Sequence, residues 1–523
     1  MIFELLAWVY ISIICFAWGR QLISLFFSGT EAVAFPIVCF AGLSFIGIIA
    51  MYVSLFGPIS FWIKCIVTIP ALLFYIKCSN RLFFLENLQS VFRKMSSADA
   101  TLLISCVGML LFLTTSPIIH PDSLNYHVDS IRLYSLRGLV PGMTNWRVHF
   151  GFQSSWFAEM NFFSMWPLEP NFSFPLNGCV MCWLIVFLIA ESVRKPAEMN
   201  SAKTTGSFWF LVLLLGTLIS WTQIRLTASS ASPDFIAAMA IFTSLYFLAK
   251  NTDRSPDAFY FATYFAFVAV SIKFSVIPIL LVPVLIFIYG LILRRYQLVL
   301  FCFITGLFFL VPILIRNVVS SGYPFFPSSF AGTFFHNNWK LDELHVAELQ
   351  HYITAYARYP VLREDTEAAY GLPIRTWLPN WWNHLYLMDR FFIVLIIGGV
   401  LMDTMLFRKW KNFFSINSAA ALLIALTGVV FWFVNAPDPR FGTGFLFPLI
   451  YFQYAPFWQM KSDRAKEIYL RITPFIKWGA GFLILLYVLY RSFHFFQPGQ
   501  LIYPAGIKKE NLTSSDTFFR NPS

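Results

Sequence analysis

Charge is scarce in this chain. Asp, Glu, Lys and Arg together make up 12% of its 523 residues, against roughly 25% in a soluble globular protein. That shortage excludes a soluble domain. With 58% hydrophobic residues and a mean hydropathy of +0.67, it implies a chain folded in a bilayer. Cysteine is missing from the long polar loops: all eight (residues 15, 39, 65, 78, 106, 179, 182 and 302) lie in or beside apolar runs, so no disulfide framework is indicated. Cys179-Val-Met-Cys182 matches C-x-x-C but lacks the soluble setting that gives this spacing redox or metal meaning. Internal repeats are absent. So is a basic stretch before the first apolar run: MIFELLAWVY carries Glu4 instead and reads as an uncleaved first helix. The net charge of +11 calls for no nucleic acid, because basic loops facing anionic lipid account for much of it.

What is present is a succession of apolar windows. They fall at 3–19, 32–56, 58–77, 101–119, 175–190, 207–224, 232–249, 258–272, 275–293, 297–315, 391–407, 417–434, 442–458 and 474–490. Each is close to the ~20 residues a spanning helix needs. This pattern predicts an all-α polytopic membrane protein with about fourteen transmembrane helices. The basic clusters around Lys77–Lys94, Arg194–Lys203, Lys250–Arg254, Arg294–Arg295, Arg408–Lys411 and Lys461–Arg471 share one side when the windows alternate. The excess of Lys and Arg marks that side as cytoplasmic. Loops 120–174, 316–390 and 435–441, with both termini, then lie on the opposite face of a cell inner (cytoplasmic) membrane. The chain divides into extra N-terminal helices and a cytoplasmic loop (1–100), a core with the first outer loop (101–315), a large outer loop (316–390), C-terminal helices (391–490) and a short tail (491–523). Both outer loops exceed the ~12–15 residues of ordinary connectors and are too aromatic for disorder, so they are expected to form two structured caps. Asn171-Phe-Ser and Asn511-Leu-Thr are sequons.

One stretch stands out: HPDSLNYHVDSIRLY at 120–134. It reads as a surface helix capped by Asp122 or Ser123, with Leu124, Val128 and Ile131 as its apolar stripe and Gly138 at its C-terminal cap. Alone, Asp122 reads as that N-cap. The spacing of Asp122, Tyr126 and Asp129 places them on one helical face, with His120 and His127 seven residues apart. A carboxylate among His and Tyr suits a general base or a metal site.

Further polar segments fall on the same face: SSASPDF with Asp234, RNVVSSGYPFFP with Arg316 and Tyr323, and NAPDPRFGTGF with Asp438 and Arg440. Lys273 joins them against the positive-inside trend. Ionisable residues at membrane helix ends are functional candidates, although Arg316 and Lys273 read equally as snorkelling charges. TWLPNWWNHLYLMDR (376–390) is either an interfacial aromatic belt or a sugar-stacking surface. Residues 340–359 read as an amphipathic surface helix.

The Asp-x-x-x-Tyr-His cluster, the Arg-Asn-x-x-x-x-Gly-x-Pro-x-x-Pro segment, the Ala-Pro-Asp-x-Arg-Phe loop and the Lys of SIKFSVIPILL together resemble the bacterial integral-membrane GT-C glycosyltransferases. The likeness spans roughly residues 115–450. It implies a GT-C-like fold and inverting transfer of a sugar from a polyprenyl-phosphate-linked donor in the membrane to a glycan, lipid or protein acceptor. On that resemblance Asp122 is the catalytic carboxylate, and Arg440, Arg316 and Lys273 hold the donor phosphate. Asp234, Tyr126, His127, His120, Tyr323 and Asp438 contact substrate or support the site, and any Mg²⁺ or Mn²⁺ would sit at Asp122. This chain differs from the pattern in having three helices before the acidic loop, and Ser123 where a second adjacent acid is common. A surface-polysaccharide polymerase or ligase would share the large outer loop but lean on Arg and His. A transporter or flippase would place its charges mid-membrane, where only Lys64 is found.

Overall fold

The computed structural model describes the chain except residues 27–32, 78–80, 82–83, 87, 90–91, 94, 165–172, 194–220, 251–256, 360–369, 411–414, 460–462, 496–497 and 506–523. The asparagines of both sequons and most of the 207–224 window lie outside the described residues.

The described residues are helical, without strands. A bilayer demands this, since backbone N–H and C=O groups in hydrocarbon must be satisfied within their own segment. Seven helices among them are long and apolar enough to cross a membrane by length and composition. These are α1 (Ile2–Phe26), α2 (Phe35–Phe56), α4 (Ser97–Thr115), Phe274–Ile292, α12 (Tyr296–Ser321), α16 (Ile416–Asn435) and the Arg471–Phe493 part of the last helix. Phe61–Ile76 (α3), Pro175–Ala190 and Asp257–Ile272 (α10) are shorter apolar helices. The described part of the chain is thus all-helical, with seven helices of membrane-spanning length and composition. The apolar windows at 232–249, 391–407 and 442–458 also coincide with helices: α9 (Asp234–Lys250), α15 (Leu387–Trp410) and α17 (Pro439–Gln459).

Small residues set the closest helix packing. A Cβ on Gly42 would lie 1.8 Å from the Cys15 carbonyl oxygen, and one on Gly19 would lie 1.9 Å from that of Val38. Glycine at both positions therefore lets α1 and α2 meet backbone to backbone, as membrane helices do where no hydrophobic effect drives them together. α4 opens on a reciprocal cap between Ser96 and Asp99. Asp99 also takes the ammonium of buried Lys477 at 2.5 Å, which fixes α18 (Asp463–Phe495) against α4.

Helices α9 and α10 form the centre, buried along nearly their whole lengths. They are consecutive and packed against one another, so the start of one lies beside the end of the other. Asp234 opens α9 and Lys273 follows α10. α17 packs on α9, where a Cβ on Gly444 would meet Ile241 and Ala238 at 2.6 and 2.9 Å. One helical turn back along each, Arg440 and Asp234 become neighbours.

The two long loops fold onto each other. Thr144 donates to the Ser320 carbonyl (2.7 Å), Asn145 donates to that of Trp339 (2.8 Å), and the Phe152 and Phe326 rings lie 5.6 Å apart. The amphipathic stretch is helix α13 (Glu343–Arg358), capped by Asp342. The helix expected on the surface of the first loop is α5 (Val128–Leu136), and it is largely buried: Val128, Ser130, Ile131, Leu133 and Tyr134 pack inside, while Leu124 of the expected stripe is exposed. Helix α5 ends at Gly138, whose φ of +74° is the left-handed conformation expected of a capping glycine.

Candidate functional site

Between α4 and α5 the chain makes a π-helical turn, Ser123–His127. Such turns insert a residue into a helix and recur at functional sites. Here the turn changes which side chains share a face. Asp129 pairs with Arg147 at 3.6 Å, whereas Asp122 turns towards Arg440. The shared face expected of Asp122, Tyr126 and Asp129 is therefore not formed. Nor does Asp122 make a capping hydrogen bond; its partner is the Arg440 guanidinium, with Nη1 3.6 Å from Oδ2.

Arg440 is the hub. Asp438 holds it in a fork: Nε sits 3.2 and 3.1 Å from the two carboxylate oxygens, and Nη2 lies 2.8 Å from Oδ2. The backbone N–H of Arg440 also donates to Asp438. The remaining nitrogen, Nη1, has only longer contacts, to Asp122 and to His120 Nε2 at 3.4 Å. Arginine can only donate. The His120 Nε2 therefore accepts, and the ring proton sits on Nδ1, which is buried with no protein partner.

Beside this hub, Lys273 donates to Asp234 at 2.5 Å. The Lys273 ammonium stands 3.6 Å from the Phe441 ring centroid, and the Arg440 guanidinium lies 5.4 Å from the same ring. Both cations thus lie near the electron-rich Phe441 ring. Asp122, Asp234, Lys273 and Arg440, drawn from four separate stretches, converge around His120. The burial of His120 pushes its pKa down, with Asp234 and Asp122 opposing and Arg440 and Lys273 adding to the shift. His127 is held well below the usual histidine range by burial first, then by His120, Lys273 and Arg440. Its Nδ1 meets the Ser123 hydroxyl at 3.0 Å, and its ring lies 5.7 Å from that of His120. Tyr126 packs edge-on against His127 and near His149.

Two expected members are elsewhere. Arg316 is fully buried; it donates to Ser54 Oγ and Gln153 Oε1 at 2.7 Å each and stacks 4.1 Å over Tyr134. None of these partners belongs to the cluster. Tyr323 is fully buried too, and its hydroxyl donates to the Leu341 carbonyl at 2.9 Å within the cap. Both are placed to hold the loops rather than a donor.

Among the described residues, no group of three His, Cys, Asp or Glu side chains is arranged to hold a metal ion. A Mg²⁺ or Mn²⁺ at Asp122 would therefore need ligands beyond the described His, Cys, Asp and Glu side chains, such as substrate phosphate and water.

The aromatic stretch of the second loop forms α14 (Ile374–His384). Its Trp381 donates to the Pro437 carbonyl at 2.7 Å, and Trp432 of α16 donates to that of Asp438 at 2.6 Å. The rings therefore brace the turn that presents Arg440. Trp432 is a participant not singled out in the sequence, whereas Trp381 falls in the aromatic stretch 376–390. Phe441 was legible only as part of the Ala-Pro-Asp-x-Arg-Phe loop, and Trp432 lies in an ordinary apolar window.

No curated protein and no solved structure matches the chain. The family described as Domain of unknown function (DUF8201) matches residues 1–447. This span contains every residue of the cluster, and the chain belongs to that family.

Proposed function

We propose that this protein is an inverting membrane glycosyltransferase that moves a sugar from a polyprenyl-phosphate donor to a glycan, lipid or protein acceptor. The reaction takes place at the extracytoplasmic face of the cytoplasmic membrane, the side opposite the basic loops. The observation that carries the reading is the convergence of Asp122, Asp234, Lys273 and Arg440 at one end of the central helices.

The chemistry follows from how each group is engaged. Asp438 occupies two of the three Arg440 nitrogens, and the third points to Asp122 through a 3.6 Å contact. A donor phosphate gripped by that third nitrogen competes with Asp122 for it. Once it does, Asp122 loses part of its counter-ion and becomes a better base. It then takes the acceptor hydroxyl proton as the acceptor oxygen bonds to the anomeric carbon. The bond from that carbon to the phosphate oxygen breaks, and the electron pair leaves with the phosphate. Arg440, with Lys273 beside the same Phe441 ring, stabilises the departing charge. Asp234 keeps Lys273 in place, and His120 keeps Arg440 aimed.

Protein reconstituted with a polyprenyl-phosphate-linked sugar and membrane acceptor should release polyprenyl phosphate and form a product of inverted anomeric configuration. Retention of configuration, or no transfer from any such donor, overturns the reading. A polymerase or ligase that uses lipid-linked oligosaccharide is the second reading. The His120–Arg440 contact favours it, and it predicts that oligosaccharide donors are consumed while single-sugar donors are not.

A further inference from the structure

Beside the cluster lies a cavity of about 710 Å³ whose walls are almost wholly apolar. It is framed by α14, α15, α16 and α17, with Trp381, Trp382, Ile397, Val430, Trp432 and Leu446 on its walls. Its mouth is at Ile397 and Val430, each 55% exposed. Around that mouth the outward faces of α15 and α16 are apolar as well, through Val394, Leu423 and Val434. The opening therefore faces the hydrocarbon side of the protein. Water gains little there, because Asn383 is the one polar lining side chain besides the indoles, and a sugar would leave most of its hydroxyls without partners.

The inner wall is joined to the charged cluster. Trp381 and Trp432 line the cavity and also donate to the Pro437 and Asp438 carbonyls. Phe441 packs against the same group of indoles while carrying Lys273 and Arg440 over its ring. The indoles that line the hollow and the two cations are thus linked through Phe441 and the 437–438 turn. Such a site matches an amphiphile with one long hydrocarbon chain and an anionic head.

We infer that this cavity receives the hydrocarbon chain of a phosphate-bearing lipid whose phosphate reaches Arg440 and Lys273. The inference rests on the proposed use of a lipid-phosphate donor and assigns that donor's chain to α14–α17. Each chain methylene withdrawn from water contributes about 0.8 kcal/mol. Chain length is therefore the variable that separates cavity binding from phosphate binding.

The experiment measures binding of undecaprenyl phosphate and of the short-chain citronellyl phosphate to purified full-length protein in detergent. Val430→Trp fills the mouth at an exposed position and should leave the fold intact; Ile397→Trp is the second variant, on the opposite helix. Either substitution should weaken the long-chain lipid about tenfold or more, equivalent to ~1.4 kcal/mol, and leave citronellyl phosphate within about twofold. Arg440→Ala should weaken both lipids. If both Trp variants bind the long-chain lipid like wild type, the chain does not enter this cavity, whatever the transfer assay shows. If Asp122→Asn keeps full transfer while the Trp variants lose long-chain binding, the chain site stands and the catalytic reading falls.

Discussion

Removing the ammonium of Lys273 separates a structural role for the Asp234 pair from a functional one. The two groups meet at 2.5 Å with side-chain exposures of only 19% and 10%. Their Coulomb attraction at an effective dielectric near 20 is on the order of 6 kcal/mol, set against the desolvation of both charges. Breaking such a pair by removing one partner costs about 3–5 kcal/mol, because an uncompensated charge stays buried. Lys273→Met should come out at the lower end, ~3 kcal/mol, since Arg440 and His120 still face Asp234. The double variant Asp234→Asn/Lys273→Met removes both charges, and neutral replacement of a buried pair is often close to neutral in stability. Denaturation in detergent should show a large loss for Lys273→Met and recovery of most of it in the double variant. Sugar transfer should stay lost in both, because the phosphate has lost one cation. If the double variant regains transfer along with stability, the pair is a structural strut and Lys273 is not a phosphate ligand.

Other predictions concern the surroundings. His120 and His127 both have folded pKa values below the ordinary 6.5, so the unfolded chain binds more protons as pH falls through that value. Stability should be fully present above about pH 6.5 and decline below it, by up to about 1.4 kcal/mol per pH unit for each histidine. His127→Asn should flatten the slope, and a wild-type profile level from pH 7 to 5 would contradict it. Arg316→Met should destabilise the protein while leaving the Michaelis constant for the donor unchanged, as its partners are Ser54, Gln153 and Tyr134. A selective rise in that constant would return Arg316 to the site. Gly42→Val should weaken α1–α2 packing, because even a Cβ would lie 1.8 Å from the Cys15 carbonyl oxygen. Melting of that variant in detergent at the wild-type temperature would refute the close contact.

Much of the cluster was legible because it sits at helix ends. Asp122, Asp234, Lys273, Asp438 and Arg440 each border an apolar window in the sequence, and burial of α9 and α10 brings those borders together. Arg316 borders a window in the same way, yet it lies within α12 and points into Ser54 and Tyr134. An arginine after an apolar run looks the same in sequence whether it snorkels, binds a ligand or is buried. Only its packing partners decide, and those are 163 and 262 residues away. The Asp122–Asp129 face is absent for a local reason: it requires a straight α-helix, and a π turn inserts a residue there. In α14, Trp381 gives its N–H to the Pro437 carbonyl and lines an apolar hollow together with Trp432 of α16. Membrane crossing is clearest for the seven long helices, since helices of 16–17 residues such as α3, α9 and α10 do not declare by length alone whether they span.

The central claim is that Asp122 is the base. Its most direct test is the transfer rate of Asp122→Asn, an isosteric change that keeps the polar contact with Arg440 and removes the proton acceptor. Reconstituted with a polyprenyl-phosphate-linked sugar, the variant should still bind donor and should lose about 10²–10⁴-fold in rate. Transfer near the wild-type rate, from protein that melts at the wild-type temperature, would contradict the account.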